Sequence, residues 1–181
     1  MIATLIAILL SFALRDTAGL VHHQDEWARS RAVVVFFTTT DCPLSNGYVP
    51  EMNRIRTDYA SRGIAFYGVQ ADTTIPDAEV RKHAKEFGFT FPMLLDSNQV
   101  LVRLTGATAI PEVAVLSNAG KVLYLGRIDN RVADFDRQRP AATERDLRDA
   151  LDAVLAGRPV IHPTTNAVGC AISLANPERK P

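Results

Sequence analysis

The sequence predicts an α/β fold: a central mixed β-sheet flanked by helices, followed by an extended C-terminal tail. Three observations predict it. Residues 33–37 (VVVFF) are a β-branched and aromatic run that reads as a strand buried on both faces. Past a polar turn, Thr38 to Asp41, and Cys42-Pro43, an apolar stripe at Tyr48, Met52, Ile55 and Tyr59 has the spacing of an amphipathic helix. Further on, strand–helix alternation ends in a hairpin, which sets antiparallel strands beside parallel ones.

Taken in order, residues 2–14 (IATLIAILLSFAL) are apolar over the length of a signal-peptide core and too short for a comfortable membrane span. Export or short membrane anchoring is the expectation, which would place the protein in the periplasm or another extracytoplasmic space where disulfides persist. The segment has no preceding Lys or Arg and no clear cleavage site, so an N-terminal element packed on the core is the other reading. The division is therefore 1–15 as signal or anchor, 16–160 as the folded domain and 161–181 as the tail.

Residues 17–24 suit a short strand or hairpin edge. His22 and His23 would lie on opposite sides of it, a poor chelate. Trp27 is expected to pack at the sheet edge. The helix from Ser45 to Arg62 should stop at Gly63, a left-handed cap, and Ile64–Val69 is a second buried strand. After a loop, Thr74 is the expected N-cap of a helix to Phe87, with Val80, Ala84 and Phe87 inward and Gly88 closing it. His83 beside that face reads as a packing or surface histidine.

Residues 91–96 suit another strand, followed by a short helix through Leu104 and a turn at Gly106. Ala109–Leu116 is a strand with Pro111 near its start, and the turn signal Asn118-Ala119-Gly120 makes 112–127 a hairpin. A charged loop reaches Pro140. A last helix, capped by Thr143, carries Leu147, Ala150, Leu151, Val154 and Leu155 on one face before Gly157 and Pro159 stop it.

The chain of 181 residues is sized for one domain with a substantial core. Lys and Arg number 20, as do Asp and Glu, so no bulk field points to nucleic acid. The chemistry concentrates at Cys42, where a buried strand meets a helix. Free backbone N–H groups and the positive end of the helix dipole favour an anion there, and for cysteine that anion is the nucleophilic thiolate. Asp41 beside it would oppose the thiolate, so it is expected to point away or to cap the helix. The other cysteine, Cys170, lies thirteen residues past Gly157. Extended at roughly 3.3 Å per residue, that stretch spans up to about 40 Å and can reach Cys42. A resolving cysteine, a static disulfide and a free or intermolecular thiol all fit this spacing.

The junction resembles the thioredoxin superfamily, and more closely the redoxin branch that includes alkyl hydroperoxide reductases and thiol–disulfide oxidoreductases. Cys42-Pro43-Leu44-Ser45 stands at its Cys-x-x-Cys position, and Pro50 matches its helix proline. Ser45 replaces the second cysteine, so exchange within the motif is out of reach, and Ser45 would instead hydrogen-bond the Cys42 thiolate. Pro111 matches the cis-proline that faces the active-site cysteine and helps to dock substrate. Asp41–Glu51, Gly126–Asp129 and Gly169-Cys170 are similar to a bacterial redoxin subgroup.

The resemblance implies a thioredoxin-like fold and a thiol–disulfide oxidoreductase acting on protein or small-molecule thiols and disulfides, with no cofactor and no metal. Cys42, Cys170, Ser45 and Pro111 would be its catalytic residues, with Thr39, Pro43 and Ile110 against substrate. Arg127 and Asp129 would border the site or form an exposed ion-pairing loop.

Peroxiredoxins resemble the junction too, with Thr39 three residues before the cysteine. Val35, however, stands where they have a proline, and 104–120 lacks the arginine that polarises a peroxide. Peroxidase activity is the second reading. A copper(I) carrier on Cys42, Cys170 and a histidine such as His162 is a third. A non-catalytic interaction module, in which Cys42 is inert, is a fourth.

Overall fold

The computed structural model describes residues 12–175. The expected export segment lies largely outside the described residues, but its last four are part of the domain. Strand β1 (Ala13–Arg15) pairs with β2 (Val21–His23), and Phe12 and Leu14 are buried, Phe12 edge-on to Trp27 at 5.0 Å. Residues 12–15 therefore pack with the folded domain. His22 Nε2 is hydrogen-bonded to Asp16 Oδ2 at 2.9 Å, so His22 serves a local contact.

Five strands form the central sheet, in the order β5 (Met93–Leu95), β4 (Ile64–Gln70), β3 (Ala32–Thr38), β7 (Glu112–Ser117), β8 (Val122–Gly126). The β3–β4 and β4–β5 pairs are parallel, and β3–β7 and β7–β8 are antiparallel, which makes the sheet mixed as expected. All seven residues of β3 are buried because helices cover both faces. Alternation sorts its side chains. Val34 and Phe36 meet Met52, Ile55, Leu147 and Leu151, while Val33, Val35 and Phe37 meet Leu101, Val102, Trp27 and Phe12. Each such side chain contributes about 1.5–3 kcal/mol by leaving water. Gly68 of β4 is required by this packing, since a Cβ there would lie 2.1 Å from Met93 Sδ.

The helices are α1 (Pro43–Tyr59), α2 (Asp77–Glu86), α3 (Val100–Thr105) and α4 (Asp146–Leu155). Pro50 lies inside α1, and a 3-10 turn, Ala60–Arg62, extends α1 to Gly63 at φ +88°. Two expected caps fail for the same physical reason: a nearby side chain claims the hydroxyl. Thr74 donates to Asp72 Oδ1, and Pro76 is the cap position of α2. Thr143 is held by the side chain of Asn130, and Arg145 precedes α4. Phe87 is exposed rather than inward, because it sits just past the end of α2 with its ring against His83 at 4.5 Å. His83 is buried and bonded to Asn46 Oδ1 at 2.8 Å, a packing histidine as expected.

The expected strand 109–116 is split. Pro111 has no N–H to offer, and the Ile110–Pro111 bond is cis. Residues before it form β6 (Ala109–Ile110), which leaves the main sheet and pairs antiparallel with β11 (Cys170–Ala171) of the tail. A small hairpin, β9 (Val132–Asp134) and β10 (Arg137–Gln138), lies within the charged loop.

The tail follows a fixed path. Leu125 N donates to Pro163 O, Thr165 N to Leu125 O, and Thr165 Oγ1 meets Tyr124 Oη at 2.6 Å. Gly126 permits this approach, since a Cβ on it would fall 2.2 Å from Thr165 Oγ1.

Candidate active site

Strand β3 delivers Cys42 to the N-cap position of α1, where its extended backbone (φ −91°, ψ 108°) precedes the first helical turn. Pro43 follows at N1, where the fixed φ suits helix entry and a missing N–H costs nothing. Asn46 N donates to Cys42 O at 3.0 Å, closing that turn. Cys42 is buried, and its Sγ donates to Ile110 O at 3.4 Å.

The second sulfur arrives from the tail. Cys170 Sγ donates to Cys42 Sγ at 3.0 Å, beyond the roughly 2.05 Å of a covalent S–S bond. Both cysteines are free thiols. Cys170 pairs directly with Ile110, so one residue of β6 supplies a carbonyl to Cys42 and a strand partner to Cys170. Gly169 makes this possible: a Cβ there would fall 1.9 Å from Ile110 O. The hydrogen bond to Cys42, then burial, then the charge of Cys42 push the Cys170 thiol up from 9.0 to about 11.

The remaining expected residues divide. Thr39 is buried and its Oγ1 accepts from Gln70 Nε2 at 3.2 Å, at the wall of the cleft over Cys42. Pro111 is buried behind Ile110. Ser45 departs from expectation. Its Oγ is buried and has no hydrogen-bond partner among the described residues, so it does not bond Cys42, whose sulfur contacts Ile110 O and Cys170 instead. Asp41 accepts from Thr40 Oγ1 at the rim of the cleft and does not cap α1. Arg127 pairs with Asp146 and Glu144, while buried Asp129 accepts from Tyr48 Oη at 2.6 Å, so neither lines the cysteine cleft.

Two site residues escape a reading of the sequence alone. Glu112 is buried, and its Oε2 accepts from Thr108 N at 2.7 Å and Ala109 N at 3.1 Å, fixing the loop that carries β6. The available signal was a carboxylate at the head of the apolar run 113–116. Gln99 is the other, and its signal, a backbone conformation, is invisible in sequence.

The cleft over the cysteines holds about 180 Å³ and includes Thr39, Asp41, Cys42, Asp72, Ile110 and Cys170 in its lining. No Lys or Arg lines it among the described residues, so the cation that a peroxidase needs is missing there. A larger cavity, about 730 Å³, lies between α4 and residues 158–162 and takes His162 but neither cysteine. Among the described residues no group of three or more His, Cys, Asp or Glu is placed to hold a metal.

Comparison with known proteins agrees with this architecture. A thiol-disulfide oxidoreductase ResA of Geobacillus thermodenitrificans is 28% identical over 111 residues, which cover 61% of this chain and 62% of that protein. The chain thus spans less than two thirds of that relative's length. The crystal structure of an uncharacterized conserved protein of Geobacillus kaustophilus superposes with a TM-score of 0.78 at 26% identity, covering 94% of this chain and 92% of that one. A hypothetical protein of Sinorhizobium meliloti gives 0.74 at 28% identity, covering 91% of each chain. The fold is thioredoxin-like. The family model described as Redoxin matches residues 9–138, and the chain belongs to the redoxin family.

Proposed function

We propose that the chain is a two-cysteine thiol–disulfide oxidoreductase in which Cys42 attacks and Cys170 resolves. One observation carries the reading: the two sulfurs stand 3.0 Å apart although 128 residues separate them. The similarity to ResA proteins, named as thiol-disulfide oxidoreductases, supports it.

In the first step the Cys42 thiolate attacks one sulfur of a substrate disulfide. A Cys42–substrate bond forms, the substrate S–S bond breaks, and the second substrate sulfur leaves as thiolate. Cys170 then attacks Cys42 Sγ, its proton passing to the departing substrate thiolate. Once the first-released thiolate takes up the proton that Cys42 gave up on ionising, the chain ends with a Cys42–Cys170 disulfide and the substrate with two thiols, so two electrons have moved. An external dithiol returns the chain to its reduced form. Ile110 O orients Cys42, and Glu112 and Gly169 bring the two strands together.

Chemistry of this kind suits an extracytoplasmic compartment, where disulfides persist, and the apolar N-terminal residues fit export. The peroxidase reading lacks a cation at the cleft, and the copper reading lacks a third ligand among the described residues. The test is turnover of glutathione disulfide with a dithiol reductant. Wild-type protein should turn it over, Cys42→Ser should not, and equal background rates for both would refute the assignment and favour the inert interaction module.

A further inference from the structure

Gln99 sits far from Cys42 in sequence and was not part of the expected site, yet its side chain is fully buried and every polar atom of the amide is engaged. Nε2 donates to Ala71 O at 3.0 Å and to Ser173 O at 2.8 Å. Oε1 accepts from Ala175 N at 2.7 Å. Ala71 follows β4, bonds to Thr38 O at the end of β3, and lines the cysteine cleft. Ser173 and Ala175 lie just beyond Cys170 in the tail. One amide therefore ties the tail to the C-terminal ends of β3 and β4, beside the nucleophile.

The backbone of Gln99 adds an independent sign. At φ +52° and ψ +41° it is the one non-glycine residue with positive φ among the described residues. Glutamine is disfavoured there, and such strain persists where the surroundings over-determine it. Asp96 O accepts from Gln99 N, and the Asp96 carboxylate accepts from Val100 N and Leu101 N, which fixes the turn that aims the amide. Arg103 adds a bond to Ala175 O at 2.7 Å. On its own, the β6–β11 ladder holds the tail by only two residue pairs.

We propose that Gln99 is the positioning residue for Cys170, a clasp that holds the tail strand closed and so sets how fast a mixed disulfide on Cys42 is resolved. This rests on the two-cysteine reading above. Gln99 touches no reacting atom. It acts through residues 173–175, and the step it governs is the attack of the Cys170 thiol on Cys42 Sγ with release of the substrate thiol.

The test uses the full chain, reduced and then mixed with glutathione disulfide, with acid quench and mass spectrometry to count glutathionylated Cys42 and the Cys42–Cys170 disulfide. In Gln99→Glu the donor to two carbonyls becomes a carboxylate that repels them. Resolution at about pH 8 should slow by about tenfold or more, with glutathione accumulating on Cys42, while the first attack changes only a few-fold. Near pH 5 the protonated carboxyl regains one donor, so the gap to wild type should narrow. Gln99→Asn tolerates positive φ but is one methylene short, and it should slow resolution with no such pH dependence. Resolution at the wild-type rate in Gln99→Asn or in folded Gln99→Glu overturns the proposal, and so does a Gln99→Glu defect equal at both pH values. If wild-type protein itself forms no Cys42–Cys170 bond, the two-cysteine reading has failed rather than the clasp.

Discussion

Cys42 and Cys170 are held by two different kinds of structure. Cys42 stands at the end of β3, a strand buried along its whole length between two apolar layers, and at the start of a 17-residue helix. Cys170 stands in a two-residue strand on a tail that is mostly exposed or half-buried. It is kept in place by point contacts: Thr165 on Tyr124, β11 on β6, and Gln99 on Ser173 and Ala175. Moving Cys42 would require opening the core, whereas moving Cys170 requires breaking a few hydrogen bonds and the partial packing of Val168, Cys170 and Ile172 on the core. Regions of the second kind open first. The difference suits the proposed roles, a rigid nucleophile awaiting substrate and a resolving thiol on a segment able to yield to it.

The largest expected effect breaks the comparison at the sulfurs themselves. Cys42→Ser should lower disulfide reduction by about 1,000-fold or more, because no other thiolate occupies the junction. Cys170→Ser should keep the first step and stall as a mixed disulfide on Cys42, visible as a mass adduct that wild-type protein clears.

Next come two glycines, one in each region. Gly68→Ala drives a Cβ into Met93 within the sheet and should cost about 1–3 kcal/mol of stability, read from denaturant unfolding. Gly169→Ala drives a Cβ into Ile110 O, and the tail can yield. It should slow formation of the Cys42–Cys170 disulfide by about tenfold or more while costing under about 1 kcal/mol globally. If Gly169→Ala instead unfolds the protein, the tail belongs to the core and the contrast drawn here is wrong.

A smaller effect follows from the Cys170 proton. Its thiol is pushed up to about 11, first by the hydrogen bond to Cys42. Alkylation of Cys170 in reduced protein should therefore rise only as pH approaches that value, and in Cys42→Ser the rise should move back toward 9.0. The raised value also fixes the sign of the stability change. Folding holds this proton more tightly than the unfolded chain does, so the contribution is present below the unfolded value near 9 and is lost as pH rises through about 11. Denaturant midpoints of the reduced protein across that window measure it.

The smallest effect lies in neither region. Arg62 and Asp152 form an ion pair at 3.1 Å with both side chains about half exposed. Arg62→Ala should change stability by under about 1 kcal/mol and leave the redox chemistry unaltered.

The same contrast explains what could be read from the sequence. The β3–α1 junction was legible because burial and helical periodicity are local patterns, and both run through Val33–Tyr59. The hairpin 112–127 was legible from its turn. Cys170 was legible only as a thiol within reach, since a two-residue pairing with β6 leaves no periodic trace. Gly126 and Gly169 were visible as parts of recurring motifs, but their physical purpose needs the backbone they approach, 39 and 59 residues away in Thr165 and Ile110. Thr74, Thr143 and Ser45 went wrong in a common way. Local rules assign a hydroxyl its partner by spacing, while in the fold Asp72 and Asn130 claim the two threonines and Ser45 finds none among the described residues. Gln99 was illegible because a side chain that joins two distant backbone segments has no sequence signature.

The central claim is tested most directly by equilibrating the reduced full chain across a series of glutathione redox buffers, quenching with acid, blocking free thiols and mapping the peptides without reduction. The account predicts one two-electron transition in which the peptides carrying Cys42 and Cys170 become linked to each other, fully reversed by a dithiol. Thiols that both stay free across the series, or glutathione on Cys42 with no Cys42–Cys170 link, would contradict it.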